Sequence, residues 1–280
     1  MQIGLFGINT GPCADPDVAA RVAIAAEDAG FDSVWTGEHV VLPDPRVPPS
    51  PAPPELPMLD PAASLAFLAA HTRRLQLATG IVILPQRNPL VLAKELASVD
   101  VLSGGRLLFG LGAGYLKPEF DALGAPFAER GPRTDEAIEV IRALWTQASP
   151  RFAGRFWSFA GIQAMPRPVR KPHPPIHVGG HSRPAWRRAV SKGNGWYGFA
   201  LDPDAARRNV EGLRRTAKDV ERPAALGELE ITVTPSVPLD ADALRRYQDA
   251  GVHRLVPIAR GRSGDELVEF VEETARALIR

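Results

Sequence analysis

Four times in this chain an aspartate or asparagine is followed by proline and then by an apolar-periodic run: Asp15-Pro16, Asp60-Pro61, Asn88-Pro89 and Asp202-Pro203. The side chain before the proline can accept hydrogen bonds from the orphan N–H groups of a first helical turn, and proline is tolerated at the first helical position. The repeated device therefore marks four helix starts. Behind Asp15, residues Val18, Val22, Ala26 and Ala29 form one face, and Gly30 can close the helix in the left-handed region. Behind Asn88, residues Leu92, Leu96 and Val99 repeat the pattern before Ser103-Gly104-Gly105. Ser182 and Asp240 are candidate caps for two more helices, and Ser263 with Glu266 has capping-box spacing for a last one.

Short apolar runs separate these helices, at 3–8, 33–36, 75–83, 107–112, 176–179, 196–200, 229–234 and 254–259. Eight strands alternating with helices predict an α/β fold, a (β/α)₈ TIM barrel that takes in residues 1–280 as a single domain. An open doubly wound sheet is the alternative, and eight units filling the whole chain favour closure. Three stretches exceed ordinary loop length. Residues 43–57 are too proline-dense for a helix or a central strand, 115–130 follow strand four, and 149–175 precede strand five. The last contains the aromatic run Arg155-Phe156-Trp157-Ser158-Phe159, which suggests a hairpin. Insertions after strands two and four would hang over the barrel's active face.

With 280 residues and 45% hydrophobic content the chain can bury a sizeable core. Its 33 basic and 32 acidic residues are mixed along the sequence, so it carries no nucleic-acid or membrane footprint. Cys13 stands alone, which rules out a disulfide within the chain and points to a reducing, cytoplasmic setting. The opening run Met1 to Gly7 reads as a strand rather than a signal peptide. His173, His177 and His181 are spaced four apart, but the prolines and glycines between them preclude a helix. In an extended chain they lie about 13 Å apart, too far to share one ion, so no metal is expected.

Barrel chemistry belongs at strand C-termini. Those positions read Thr36-Gly37-Glu38-His39 after strand two and Thr79-Gly80-Ile81 onward to Asn88-Pro89 after strand three. Strand four ends in Gly110-Leu111-Gly112-Ala113-Gly114-Tyr115 and strand five in Val178-Gly179-Gly180-His181-Ser182. Together with Leu102-Ser103-Gly104-Gly105-Arg106 and Phe127-Ala128-Glu129-Arg130, these segments resemble the luciferase-like monooxygenase superfamily, over residues 1 to about 196. The pattern is most similar to its branch that uses the deazaflavin coenzyme F420. The resemblance implies hydride transfer between F420 and a small organic substrate, and a homodimer formed through helices two and three, where Ala62, Ala63, Ala66, Ala69 and Ala70 give a small-sided surface. The alternatives are a two-component monooxygenase that uses reduced FMN, O₂ and a separate reductase, or a non-catalytic flavin-binding barrel.

By the same resemblance, Glu38 and His39 form the catalytic pair, with His39 managing protons and Glu38 orienting the loop. A loop-stabilising role for both is the competing reading. Gly80-Ile81 occupies the place of a non-prolyl cis peptide beneath the cofactor ring. Gly112, Gly114 and Tyr115 would line that ring, although relatives of the sugar-phosphate dehydrogenase type carry a glutamate where Tyr115 stands. The glycines Gly110 to Gly114 do not open a helix directly, so they are not a dinucleotide fingerprint. Gly179, Gly180, His181 and Ser182 would receive the cofactor phosphate on helix-terminal N–H groups, or form a tight turn with Ser182 as cap, or both. Arg130 and Arg133 could reach the cofactor's anionic part or simply pair with Asp135 and Glu136.

Overall fold

A computed structural model describes residues 1–279. Eight parallel strands close into a barrel: β1 (Gln2–Phe6), β2 (Ser33–Thr36), β3 (Gln76–Thr79), β4 (Leu107–Gly112), β5 (Ile176–Gly179), β6 (Gly195–Leu201), β7 (Glu230–Pro235) and β8 (Arg254–Leu255). Closure is set by the register Gln2↔Arg254 and Ile3↔Leu255 between β1 and β8. The principal helices are α1 (Pro16–Ala29), α2 (Pro61–His71), α3 (Pro89–Leu102), α4 (Arg130–Thr146), α5 (Arg183–Lys192), α6 (Pro203–Asp219), α7 (Ala241–Asp249) and α8 (Gly264–Leu278). Among the described residues no helix is long and apolar enough to cross a membrane.

The cap side chains expected from sequence all accept first-turn amides: Asp15, Asp60, Asn88, Ser182, Asp202, Asp240 and Ser263. Gly30 ends α1 at φ 91°. The capping box at α8 is only half formed, because the Glu266 carboxylate takes the Arg262 N–H at 2.8 Å rather than that of Ser263. The start of α4 carries no side-chain cap, which is why nothing in the sequence marked it.

Two strands depart from expectation. The run 75–83 is not continuous: β3 stops at Thr79, and a two-residue strand Val82–Ile83 resumes pairing, on Leu111 and Gly112 of β4. Between them the Gly80–Ile81 peptide is cis. The run 254–259 is a strand only at Arg254–Leu255, followed by a single bridge from Phe6 to Ile258.

Bulky groups inside the barrel sit where a neighbouring strand offers glycine. A Cβ on Gly4 would lie 2.5 Å from Ser33 Oγ and 3.0 Å from Trp35 Nε1; one on Gly195 would lie 2.7 Å from the His177 ring. Trp35 stacks on Tyr197 with centroids 5.2 Å apart, and Ala78, Leu108 and Val256 complete this layer. Below it, at the N-terminal end, buried Arg254 meets Asp32 and Glu230 at 2.6 Å each, and Gln2 and Gln76 at 2.9 Å. His177 lies beside Trp35 with neither ring nitrogen hydrogen-bonded, and burial lowers its pKa to about 3, so it is neutral.

The insertions differ in where they pack: the segment before β5 reaches the C-terminal end of α3, where Arg170 N–H donates to Asp100 Oδ2 at 3.0 Å. Residues 43–57 form irregular turns, and the chain returns so that Gly11 N–H donates to Pro57 O at 3.0 Å. The segment after β4 carries a short helix, Lys117–Ala122. The segment before β5 does form an antiparallel hairpin, Phe152–Ala153 with Ser158–Phe159. Its turn is held by Glu136 of α4, which accepts from the amides of Arg155, Phe156 and Trp157 at 2.8–2.9 Å.

Replacing Arg254 with Met should cost about 3 kcal/mol, because Asp32 and Glu230 then lose the cation that compensates their burial. Urea unfolding of wild type and R254M measures this. A loss under about 1 kcal/mol would show that the ionic layer is not a stabilising contact.

Candidate active site at the C-terminal ends of the strands

Asn9, in the loop after β1, clamps the end of β2. Its amide donates to Gly37 O at 2.9 Å and to Leu59 O at 2.6 Å, and its oxygen accepts the Gly37 N–H at 2.8 Å. The next residue, Glu38, turns away from the mouth and is buried. Its carboxylate accepts from the Ile83 amide and from Arg87 Nε at 2.9 Å and Nη2. Arg87 extends the contact to Asp60 Oδ2 at 2.7 Å, the residue that caps α2. Burial raises the Glu38 carboxyl above its usual range, against the pull of Arg87 and the Ile83 amide. Burial also works against the Arg87 charge, but Glu38 and Asp60 outweigh it and push Arg87 up. A carboxylate that meets one backbone N–H and two N–H groups of a charged guanidinium is held as an ion pair. Glu38 and His39, adjacent in the chain, therefore contact different groups: Glu38 meets Ile83 and Arg87, and His39 meets Glu119.

His39 points the other way and is nearly covered, its side chain 10% exposed. Its Nδ1 lies 3.1 Å from Glu119 Oε2, and Glu119 Oε1 accepts the Val40 N–H at 2.7 Å. A carboxylate can only accept, so Nδ1 carries the proton and Nε2 is left to exchange one. The Tyr115 ring stands edge-on to His39 at 6.1 Å. The Gln86 side chain, buried and without a well-formed hydrogen bond, lies beside the same carboxylate. Burial alone would raise the Glu119 pKa; His39, Gln86 and the Val40 N–H together outweigh it and hold it below the ordinary glutamate value.

Glu119 was not foreseen. It sits on the short helix in the insertion after β4, four residues beyond Tyr115, and the only sequence signal was an acidic residue within an insertion expected to cover the mouth. The rim glycines also serve a purpose beyond ligand approach. A Cβ on Gly110 would lie 1.9 Å from Thr79 O, one on Gly112 2.0 Å from Ile81 Cδ1, and one on Gly179 3.0 Å from that same atom. They make room for the bend at Gly80 and for the Ile81 side chain that it turns into the barrel. Gly114, at φ 75°, packs under Ile83 and Phe120.

The turn after β5 places Gly180 at φ 121° and Ser182 as cap of α5, accepting from Ala185 N–H at 3.4 Å. Among the described residues no hydrogen bond engages the amides of His181, Ser182 or Arg183, so three donors at a helix N-terminus remain open. The His181 ring is otherwise occupied: Nε2 accepts the Phe199 N–H at 3.2 Å. The three histidines diverge, His173 to the Pro174 carbonyl, His177 into the barrel and His181 to β6. Arg130 lies over the Phe127 ring, while Arg133 pairs with Glu129 and lies over Phe156. Neither meets Asp135 or Glu136; Asp135 binds Arg188 instead.

Comparison with known proteins gives a match to the family model described as luciferase-like monooxygenase over residues 4–276. The chain is 30% identical to an uncharacterized protein of Mycobacterium tuberculosis, with 99% of each chain covered. It is 36% identical over 165 residues to the FMNH(2)-dependent dimethylsulfone monooxygenase of Pseudomonas putida, covering 58% of this chain and 43% of that one. Its fold is similar to a solved F420-dependent secondary alcohol dehydrogenase in complex with an F420–acetone adduct, at TM-score 0.78 and 18% identity over 99% of this chain and 98% of that one.

A glutamate whose folded pKa is depressed stabilises the fold above its unfolded value, near roughly pH 4, and loses that contribution as pH falls through the folded value. Glu119→Gln should therefore cost about 1.5–3 kcal/mol at pH 7, the range for a hydrogen bond to a charged group. The gap to wild type should close in acid. Urea midpoints at pH 7 and pH 3 read the difference, and a gap that is equal at both would show that Glu119 is not held ionised.

Proposed function

The chain belongs to the luciferase-like monooxygenase family, a family of oxidoreductases and monooxygenases, and on that premise we propose that it transfers a hydride between the deazaflavin F420 and a small organic substrate. The observation that carries this reading is the carboxylate-backed His39 at the barrel mouth. A hydride leaving an alcohol carbon, or arriving at a carbonyl carbon, requires a proton to move at the oxygen. A histidine held at one ring nitrogen by a carboxylate is suited to give or take that proton at the other.

The residues fit such a cofactor. The mouth offers apolar surface at Ile81 and Tyr115, and the open amides of His181, Ser182 and Arg183 suit a phosphate. On this reading the Gly80–Ile81 bend, Gly112, Gly114 and Tyr115 hold the ring, and Gly179 to Ser182 hold the phosphate. The deazaflavin supplies the two-electron chemistry. His39 exchanges the substrate proton at Nε2, Glu119 fixes the tautomer and faces the imidazolium, and Glu38 with Arg87 keeps the loop in place.

The second reading is oxygenation by reduced FMN with a separate reductase. It is favoured by the Pseudomonas putida relative, an FMNH(2)-dependent monooxygenase by name. Titration with each cofactor separates the two: the proposal expects F420 binding by fluorescence and turnover without O₂. Turnover only with reduced FMN and O₂ would replace it, and binding without turnover across a broad substrate panel would favour a non-catalytic flavin carrier. His39→Ala should lower turnover about 10²–10⁴-fold. Cofactor affinity should change by no more than about 1.5 kcal/mol, one hydrogen bond.

The reading extends to a homodimer through α2 and α3. Ala69 faces the core, but Ala63, Phe67 and Ala70 on α2 and Val91 and Leu102 on α3 are exposed. Light scattering at micromolar concentration should give twice the 30.2 kDa chain mass. A monomer, or a dimer that survives Phe67→Asp with Leu102→Asp, would exclude this interface.

A further inference from the structure

Phe199 is a large aromatic residue left 40% exposed at the end of β6. It does not simply face solvent. Its ring reaches Phe6 at the end of β1, with centroids 5.2 Å apart, and lies 6.5 Å from Tyr197 below. Strands β8 and β7 separate β1 from β6, so this contact spans the open end of the barrel. Two features put the ring there. The Phe199 N–H donates to His181 Nε2 at 3.2 Å. The next residue, Ala200, has φ 54°, the one positive φ outside glycine among the described residues. An L-residue in that region is strained, and such strain persists only where the surroundings enforce it.

The groups around Phe199 share a chemistry. Phe6 and Ile81 pack on the interior layer beneath, and Ile258, 38% exposed, is bridged to Phe6. The two buried carboxylates that follow β2 and β4 are committed elsewhere: Glu119 to His39 and Val40, Glu38 to Arg87 and Ile83. A carboxylate laid against the Phe199, Phe6 and Ile81 side chains would lose water there and gain no hydrogen bond from them, which is costly.

We propose that Phe199 is a specificity-determining wall of the substrate site, selecting ligands that are neutral and apolar around the reacting carbon, and that His181 is the positioning residue that holds it. This rests on the reading of the barrel mouth as the reaction site, but not on which cofactor works there. His181 belongs to the turn with the open helix-terminal amides, so one residue links the anion-binding turn to the substrate wall.

The test is equilibrium binding to the full chain by saturation-transfer NMR, which needs no turnover and so stands apart from the cofactor question. The probes are 2-octanone and 2-oxooctanoate, in which a carboxylate replaces the methyl group on the carbonyl carbon. Wild type should bind the neutral ketone at least about tenfold more tightly. Phe199→Asp should lose that preference, and Phe199→Leu, which keeps an apolar surface should F199D fold poorly, should keep most of it. His181→Phe should weaken ketone binding several-fold, and His181→Gln, which keeps an acceptor, should restore it. Equal binding of both probes by wild type, or a preference unchanged in F199D, would overturn the wall. A weakening that H181Q does not restore would overturn the positioning role. If turnover then proves to need FMN and O₂, the proposed function fails and this inference stands.

Discussion

A single buried carboxylate organises the working end of this molecule. Glu38 ties the end of β2 to the backbone just beyond the Gly80–Ile81 bend and, through Arg87, to the cap of α2. Three segments of one βαβ unit are thus fixed to one side chain. The cost of burying its charge is offset by the donors it meets, and losing one partner would leave an uncompensated charge. His39 follows Glu38 in the chain, so its place at the mouth is inherited from that clasp. Glu119 then meets the ring from an insertion that buried Leu116 and Phe120 anchor.

The interior follows a complementary rule. Where one strand carries a bulky group, its neighbour carries glycine: Gly4 beside Trp35, Gly195 beside His177, Gly112 and Gly179 beside Ile81. The glycine-rich strand ends therefore reflect packing inside the barrel at least as much as access for a ligand. The polar layer around Arg254 lies toward the opposite end of the strands.

Most of the fold was legible because its signals are local. A cap side chain and a proline act within one helical turn, and all seven marked caps are used. The start of α4 was silent because it uses no such device. The broken third strand was illegible for another reason: Val82 and Ile83 are apolar whether or not pairing lapses before them. Within the site, His39 was visible from its place after β2. Its partner was not, since the Glu119 contact joins positions 80 residues apart and depends on how an insertion folds back. The separation of Glu38 from His39 was partly visible, because adjacent residues in an extended segment face opposite sides.

The central claim, that the Glu38 clasp sets the position of His39, is tested most directly by amide hydrogen exchange in wild type and Glu38→Gln. The Ile83 amide reports the clasp itself, and the Val40 amide reports the His39–Glu119 contact that depends on it. The account predicts that both are strongly protected in wild type and lose protection together in E38Q, while amides of β6 and β7 are unchanged. Loss at Ile83 with full protection kept at Val40 would show that His39 is placed without the clasp, and would contradict the account.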